Sequence, residues 1–212
     1  MLRLTQTPRL SLLFGVALGL CLLLPVSPVG AQALGANEQV PLLLKVLSLD
    51  RKYARKEKPF ALAVLYDSQT DRSGKAMAAF LAALGEGPKV REQPIEVKSF
   101  DLSDKEAHLR DFLVSEKIDL VWVTTGLDEH LERVRQRTRA AHVTSAAADV
   151  AHVERGLSVG FERAGANTRV VINLEAAKAE ACDFSASLLK VARLVKAAPA
   201  ATNEEPTPAE KP

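Results

Sequence analysis

Ser158 lies in Gly156-Leu157-Ser158-Val159-Gly160, which fits the Gly-x-Ser-x-Gly string found around many hydrolase nucleophiles. That chemistry needs a sharp strand-to-helix turn at the serine and a histidine base later in the chain. The string instead opens a predicted hairpin strand. Every histidine precedes the serine: His108, His130, His142 and His152. We therefore interpret Ser158 as a structural residue and predict no catalytic group.

Residue patterns for metal or thiol chemistry are sparse. The chain contains two cysteines, Cys21 and Cys182, and neither a Cys-x-x-Cys nor a His-Glu-x-x-His frame. His142 and His152 bracket a weak strand candidate, with no acidic or thiolate ligand set beside them. We predict no metal and no cofactor. Cys182 is interpreted as a small buried residue, and a redox or dimerising thiol is the alternative.

Two polar loops form a candidate crevice for a small ligand. Each loop follows a strongly apolar predicted strand, and the carboxyl ends of strands are where ligands bind in open strand–helix sheets. The first loop leads into a helix, whose exposed amides favour an anion. The alternative is an ordinary polar loop with a serine helix cap. The crevice residues are Asp67, Ser68, Thr70, Ser73, Thr124 and Thr125.

The charge balance argues against a nucleic-acid partner. The 212-residue chain has a net charge of +2, but residues 1–33 carry Arg3 and Arg9 and no acid. The remainder has 26 basic and 26 acidic residues. A chain without excess positive charge lacks the footprint that phosphate backbones select.

Both ends of the chain differ from its middle. Residues 1–33 combine a basic start, an apolar run over 12–25 and Ala31-Gln32-Ala33, which predicts a cleaved signal peptide and a periplasmic protein. An uncleaved anchor is the alternative, although the apolar run is short for a bilayer span. Residues 197–212 are rich in Pro, Ala and Glu and predict a disordered tail. The folded domain is expected over residues 38–196.

Between these ends, apolar strands alternate with amphipathic helices. We predict strands over 60–66, 94–102 and 118–125, a weaker strand over 142–150, and a hairpin of 157–163 with 168–174. Helices are predicted over 40–53, 73–84, 103–117, 127–141 and 185–195. This order predicts an α/β fold: a single mixed sheet with helices on both faces, and a C-terminal β-hairpin followed by a helix.

In the last third of the chain, a glycine-led strand precedes a hairpin, an Ile-Asn-Leu-x-x-Ala-x stretch and a Ser-x-x-Leu-Leu-x-x-Ala-Arg helix. This series of motifs resembles the YfiR/HmsC-like family of periplasmic proteins, and the match is close over 156–194. Residues 40–150 match only in pattern. The signature residues are Gly156, Gly160, Phe161, Ile172, Asn173, Leu174, Ala177, Ser185, Leu188, Leu189, Ala192 and Arg193. Physically they suit mainly structural roles: close backbone approach, helix caps and packing.

The resemblance implies a periplasmic regulator without catalysis. The best-known members bind the periplasmic sensory domain of an inner-membrane diguanylate cyclase and hold it inactive, which limits cyclic di-GMP and biofilm. They also carry disulfide-forming cysteines, from which this chain departs because Cys182 has no partner once Cys21 is removed. We expect an inner-membrane signalling protein as partner and no nucleic acid, and leave a homodimer open. The alternative is a periplasmic small-ligand-binding protein related to transporter components.

Overall fold

The computed structural model describes residues 34–54, 59–103 and 108–196 and folds them around one eight-stranded sheet. The predicted signal peptide, the predicted tail and residues 104–107 of the helix predicted over 103–117 lie outside the described residues. None of the helices in the described part of the chain combines the length and the apolar character that a membrane span requires.

The sheet is mixed, as the sequence predicted. Its strands, in chain order, are β1 (Phe60–Tyr66), β2 (Lys89–Val90), β3 (Gln93–Asp101), β4 (Leu120–Val123), β5 (Thr144–Ala147), β6 (Val159–Ala164), β7 (Asn167–Asn173) and β8 (Arg193–Val195). Their order across the sheet is β2-β3-β1-β4-β5-β6-β7-β8. Neighbouring strands from β3 to β6 in this order are parallel. Strand β2 is antiparallel to β3, β7 is antiparallel to β6, and β8 is parallel to β7.

Helices cover both faces of this sheet. They are α1 (Ala36–Ser48), α2 (Arg51–Ala54), α3 (Asp71–Leu84), α4 (Leu109–Ser115), α5 (Leu131–Ala141), α6 (Val150–Glu154), α7 (Leu174–Ala179) and α8 (Ala186–Val191). Alternate residues of β1 point to opposite faces. Leu62 and Val64 join the core under α1, α3 and α8, and Ala63 and Leu65 join the core under α4, α5 and α6. The predicted α/β class with helices on both faces is confirmed.

Strand β1 marks the place where the strand order reverses. The chain passes from β1 to β3 on one side and then to β4 on the other side. The loops that follow β1 and β4 therefore diverge from adjacent carboxyl ends, which is the arrangement that leaves a crevice in open α/β sheets.

The predicted helix over 40–53 is broken into α1 and α2. Leu49 ends α1, and the carboxylate of Asp50 is fully buried. Asp50 Oδ1 accepts hydrogen bonds from the backbone of Lys52 at 2.9 Å and Asp183 at 3.1 Å. Since Asp183 is 133 residues away in the chain, helical periodicity alone could not reveal this break.

The predicted final helix over 185–195 is wrong beyond Val191. Ala192 is extended (φ −79°, ψ 150°), and the next three residues form β8. Register pairs Leu194 with Ile172 of β7. The guanidinium of Arg193 also bonds Glu162 of β6 and Glu154 of α6, at 3.0 and 2.9 Å, so pairing and ion contacts hold these residues in the sheet.

The weak strand predicted over 142–150 is a shorter, central strand, β5. All four of its residues are buried, because β4 and β6 flank it and helices cover it. Its small Thr, Ser and Ala side chains weaken the apolar signal. The following α6 was missed by the sequence analysis. It begins after Asp149, whose side chain accepts a hydrogen bond from Ala151 N.

Candidate functional site

The two predicted crevice loops meet at the carboxyl ends of β1 and β4. Ser73 Oγ lies 2.7 Å from Thr124 Oγ1, and both residues are fully buried. Thr124 donates its hydroxyl proton to Leu65 O at 3.0 Å, so Ser73 donates to Thr124 and accepts from Asp67 N. These two hydroxyls therefore tie the loops together from inside, and the open part of the crevice consists of the other four residues.

The outer rim of the crevice is a set of satisfied polar turns. Asp67 accepts hydrogen bonds from Gln69 N at 2.8 Å and Thr70 Oγ1 at 2.9 Å. His130 Nε2 of the β4–α5 loop lies 3.6 Å from Asp67 Oδ2, the oxygen that also accepts from Thr70. The side chains of this rim carry both carboxylate and hydroxyl oxygens, which suit a ligand with hydrogen-bond donors.

Asp101, at the end of the neighbouring β3, belongs to the same edge. Ser68 N and Ser103 N each donate to Asp101 Oδ1 at 3.1 Å. Partial burial acts to raise the pKa of Asp101, but the hydrogen bonds from Ser68 and Ser103 outweigh it and hold that pKa at about 2. This carboxylate stays ionised across the ordinary pH range.

Thr125 borders a small cavity of about 150 Å³ between α1, α3 and the ends of β4 and β5. Its wall is largely apolar and includes the rings of Phe80 and Trp122, which stack with centroids 4.5 Å apart. Gln39 closes one side and donates a 2.8 Å hydrogen bond to Ala148 O. The cavity is thus apolar, with one polar corner.

The glycines of the family signature are required by packing. Gly156 has a φ of +112°, and a Cβ there would lie 2.7 Å from Cδ of Arg135. A Cβ on Gly160 would lie 2.6 Å from Cγ2 of Val153 on α6. Both positions bring a helix against the backbone of the β6 segment.

The remaining signature residues cap helices or fill the core. Asn173 Oδ1 accepts from Ala176 N at the start of α7, and Ser185 Oγ accepts from Leu188 N at the start of α8. Six apolar members pack into or against the core beneath α1, α3 and α8: Phe161, Ile172, Leu174, Ala177, Leu188 and Leu189. Ala192 packs against the same core, and Arg193 anchors β8. These contacts support the structural interpretation of the signature.

A buried carboxylate, Glu180, escaped the sequence analysis. Its oxygens accept hydrogen bonds from Thr138 Oγ1 at 2.7 Å, from Ser145 N at 2.7 Å and from the Ser158 hydroxyl. Burial raises the pKa of Glu180 despite these donors. Ser158 therefore lies inside the fold with its hydroxyl engaged. Only the polarity of isolated Ser and Thr residues in apolar strands hinted at this cluster.

A histidine on α6 was also not singled out as a buried group. His152 is fully buried, and its Nε2 lies 3.3 Å from Asp128 Oδ1, to which Arg155 also donates at 2.6 Å. Partial burial raises the pKa of Asp128, but His152 and Arg155 favour the ionised form more strongly and lower it overall. The contacts of Asp128 with His152 and Arg155 thus connect the β4–α5 loop, which also carries His130, to the α6 segment.

Cys182 is half-buried beside Thr144, with Sγ 3.3 Å from Thr144 Oγ1. Burial is the main reason that the pKa of its thiol rises to about 12, and the nearby charge of Glu180 adds to the effect. The thiol is therefore protonated at neutral pH. In the described residues, His, Cys, Asp and Glu side chains form no group of three suited to a metal ion.

Comparison with known proteins defines the class of this chain. Residues 51–193 match the YfiR/HmsC-like family, and the chain belongs to that family. Proteins of this family are periplasmic regulators. A comparison with curated proteins finds no match.

Three solved structures share the fold at low sequence identity. The first is the ABC domain from Streptococcus pneumoniae in complex with L-Trp: TM-score 0.55, 15% identity, 76% of this chain and 60% of that one. A conserved domain protein from Vibrio cholerae matches with a TM-score of 0.57 and 14% identity, over 76% of this chain and 60% of that one. A ligand-free, open substrate binding protein with adhesive properties from Clostridium difficile matches with a TM-score of 0.52 and 16% identity, over 75% of this chain and 59% of that one. The chain thus spans about 60% of the length of these structures.

Proposed function

We propose that this protein is a periplasmic, non-enzymatic regulator that binds the periplasmic sensory domain of a membrane signalling protein and represses it. Its membership of the YfiR/HmsC-like family over residues 51–193 carries the proposal. The partner class that this family membership suggests is a diguanylate cyclase, so binding would lower cyclic di-GMP and biofilm formation.

The arrangement of polar groups is compatible with a binding protein. Ser158, the residue that best fitted a nucleophile pattern, is buried and hydrogen-bonded to Glu180. The buried polar groups of Ser73, Thr124 and Asn173 likewise bond to loops and helix starts. These groups stabilise the scaffold, which leaves its surface to contact a partner.

Export is part of the proposal. We propose cleavage after Ala33, because the sequence there has the small residues that signal peptidase requires. N-terminal sequencing of the protein from a periplasmic extract should start at Leu34. A chain that keeps residues 1–33 and remains with the membrane would contradict this part.

Affinity capture tests the partner. The purified protein, crosslinked to solubilised membranes, should retain a membrane protein with a periplasmic domain. Calorimetry with that isolated periplasmic domain should then show saturable binding. Failure to recover any membrane signalling protein, or failure of the isolated domain to bind, would contradict the proposal.

A second candidate function is the binding of a small ligand at the crevice. The cavity of about 150 Å³ next to Thr125 favours it, because its apolar wall and single polar corner suit a small apolar molecule with one acceptor or donor. A ligand that binds the folded state raises its melting temperature by mass action. A metabolite panel that gives no thermal shift would contradict this candidate.

A further inference from the structure

Apolar side chains are exposed together near the end of the described chain. Among the described residues, three large hydrophobic side chains are strongly exposed: Val191 by 69%, Val114 by 60% and Leu194 by 46%. Val114 lies on α4, on the opposite face of the sheet from α8. Val191 and Leu194 lie three residues apart, at the end of α8 and in β8. Contiguous exposed apolar surface commonly marks an interaction site.

These two residues adjoin a groove, which we call the α1–α8 groove. It has a volume of about 200 Å³, and its apolar walls are Leu42 and Val46 of α1, Leu49 just after α1, Val170 of β7, and Leu188 and Val191 of α8. Leu194 pairs in register with Ile172, so its side chain shares the sheet face of Val170 and Ile172. The groove and the exposed apolar residues therefore form one surface.

An open sheet edge borders this surface. In the described residues β8 is the last strand of the sheet and pairs only with β7. The outer edge of such a strand offers a row of backbone donors and acceptors, on which an extended segment of another chain can add a strand.

The charge at the groove that lacks an ion-pair partner is positive. The lining of the groove includes Lys45 and, within the described part of the chain, no carboxylate. Arg169 also borders the groove, but its guanidinium is paired with Glu162 on the sheet face opposite Val170. The exposed Lys45, by contrast, has no acidic partner among the described residues. Lys190 and Lys196, both exposed, flank the apolar pair along the chain. A segment that binds here gains from acidic side chains.

Two other occupants fit this surface poorly. Residues 197–212 follow β8 after Lys196, but their apolar residues are only Ala and Pro, which cannot fill an apolar groove. A second copy in a two-fold contact would bring the same patch against itself. The exposed Lys45, Lys190 and Lys196 of both copies would then gather at one contact, and like charges across an interface oppose association.

We infer that the α1–α8 groove and the edge of β8 bind an extended segment of another protein, in which apolar residues alternate with Asp or Glu. This inference rests on the proposed function, because it names the surface that would contact the signalling partner. The segment would pair with Arg193–Val195 through its backbone, insert an apolar side chain between α1 and α8, and place a carboxylate near Lys45.

A displayed library of random 12-residue peptides tests this inference without knowledge of the partner. Selection on the purified protein should enrich alternating apolar and acidic peptides, and a labelled enriched peptide should bind in fluorescence anisotropy. The V191E/L194E variant should weaken that binding at least tenfold, and K45E should weaken it severalfold. V114E is the control, because it places a glutamate on an exposed valine elsewhere, and it should bind as the wild type does.

Hydrogen exchange on the wild-type protein gives a readout that needs no variant. The peptide should slow exchange of the β8 amides and leave those of β2 at the other sheet edge unchanged. Enrichment of basic peptides, equal binding by V191E/L194E, or no protection of β8 would overturn the inference. So would sedimentation showing a dimer that V191E/L194E dissociates, because the occupant would then be a second copy. None of these outcomes would affect the capture experiment, so a wrong groove and a wrong function can be told apart.

Discussion

Gly160 of β6 faces Val153 of α6 at a separation that leaves no room for a side chain: a Cβ on residue 160 would lie 2.6 Å from Val153 Cγ2. Val153 and Gly160 are both buried, between α6 and the sheet. The contact lets α6 lie directly on the sheet and close the crossover from β5 to β6. A residue of the family signature thus acts through packing.

Replacing Gly160 by alanine should destabilise the fold by about 1–3 kcal/mol, because the added methyl overpacks a site that cannot expand. Urea unfolding measures the change. The double variant G160A/V153A should recover part of the loss, since the shortened residue 153 makes room for the new Cβ. G160A with wild-type stability would show that α6 shifts freely and that the glycine is dispensable.

The buried carboxylate of Glu180 should make stability depend on pH. Burial raises its folded pKa above the ordinary value of 4.5, so its contribution is present at low pH and is lost as the pH rises through the folded pKa. As the pH rises above 4.5, the free energy of unfolding of the wild type should therefore fall relative to that of E180Q. Urea unfolding from pH 4 to 8 measures it, and a difference that does not change with pH would contradict the burial effect.

The contacts of Arg193 should hold β8 in the sheet. R193A removes hydrogen bonds to Glu162 and Glu154, so the amides of β8 should exchange faster while the global free energy of unfolding falls by about 1 kcal/mol or less. Burial acts to raise the pKa of Glu162, but the hydrogen bonds and charges of Arg193 and Arg169 outweigh it and lower this pKa overall. The effect of R193A should therefore shrink as the pH falls below 4.5.

The matched control for R193A is R51A, which removes an exposed ion pair with Asp183 away from β8. R51A should leave exchange of the β8 amides unchanged. Equal exchange of these amides in wild type and R193A would show that strand pairing alone holds the edge.

Cys182 should react slowly with thiol reagents. Its pKa of about 12 leaves almost no thiolate at pH 8, and the thiolate is the nucleophile. Mass spectrometry of the peptide that contains Cys182 should show little alkylation by iodoacetamide in the folded protein and rapid alkylation in urea. Alkylation of the folded protein at the rate of a free cysteine would contradict this and reopen a redox role.

The sequence was most informative where structure is determined locally. The apolar run of Phe60–Tyr66 predicted β1 correctly, and the helix predicted over 73–84 is α3, which ends at Gly85 with a φ of +71°. The order of elements predicted the mixed sheet. It also placed Ser73 and Thr124 at one edge, where their hydroxyls are 2.7 Å apart.

Features that depend on distant partners were missed. The break before Asp50 depends on Asp183, and the strand at Arg193–Val195 depends on its pairing with the edge of β7. The Glu180 cluster joins hydroxyls 22 to 42 residues away. The α1–α8 groove combines both chain ends of the described domain. Periodicity describes neighbours in sequence, so none of these contacts leaves a periodic signal.

The most direct test of the account is the cyclic di-GMP content of cells that carry a deletion of the gene. The account predicts a rise on deletion, restored to the original level by the wild type and by V114E, but not by V191E/L194E. Immunoblots of periplasmic extracts should confirm equal amounts of each variant. Unchanged cyclic di-GMP in the deletion strain would contradict the proposed repression of a cyclase.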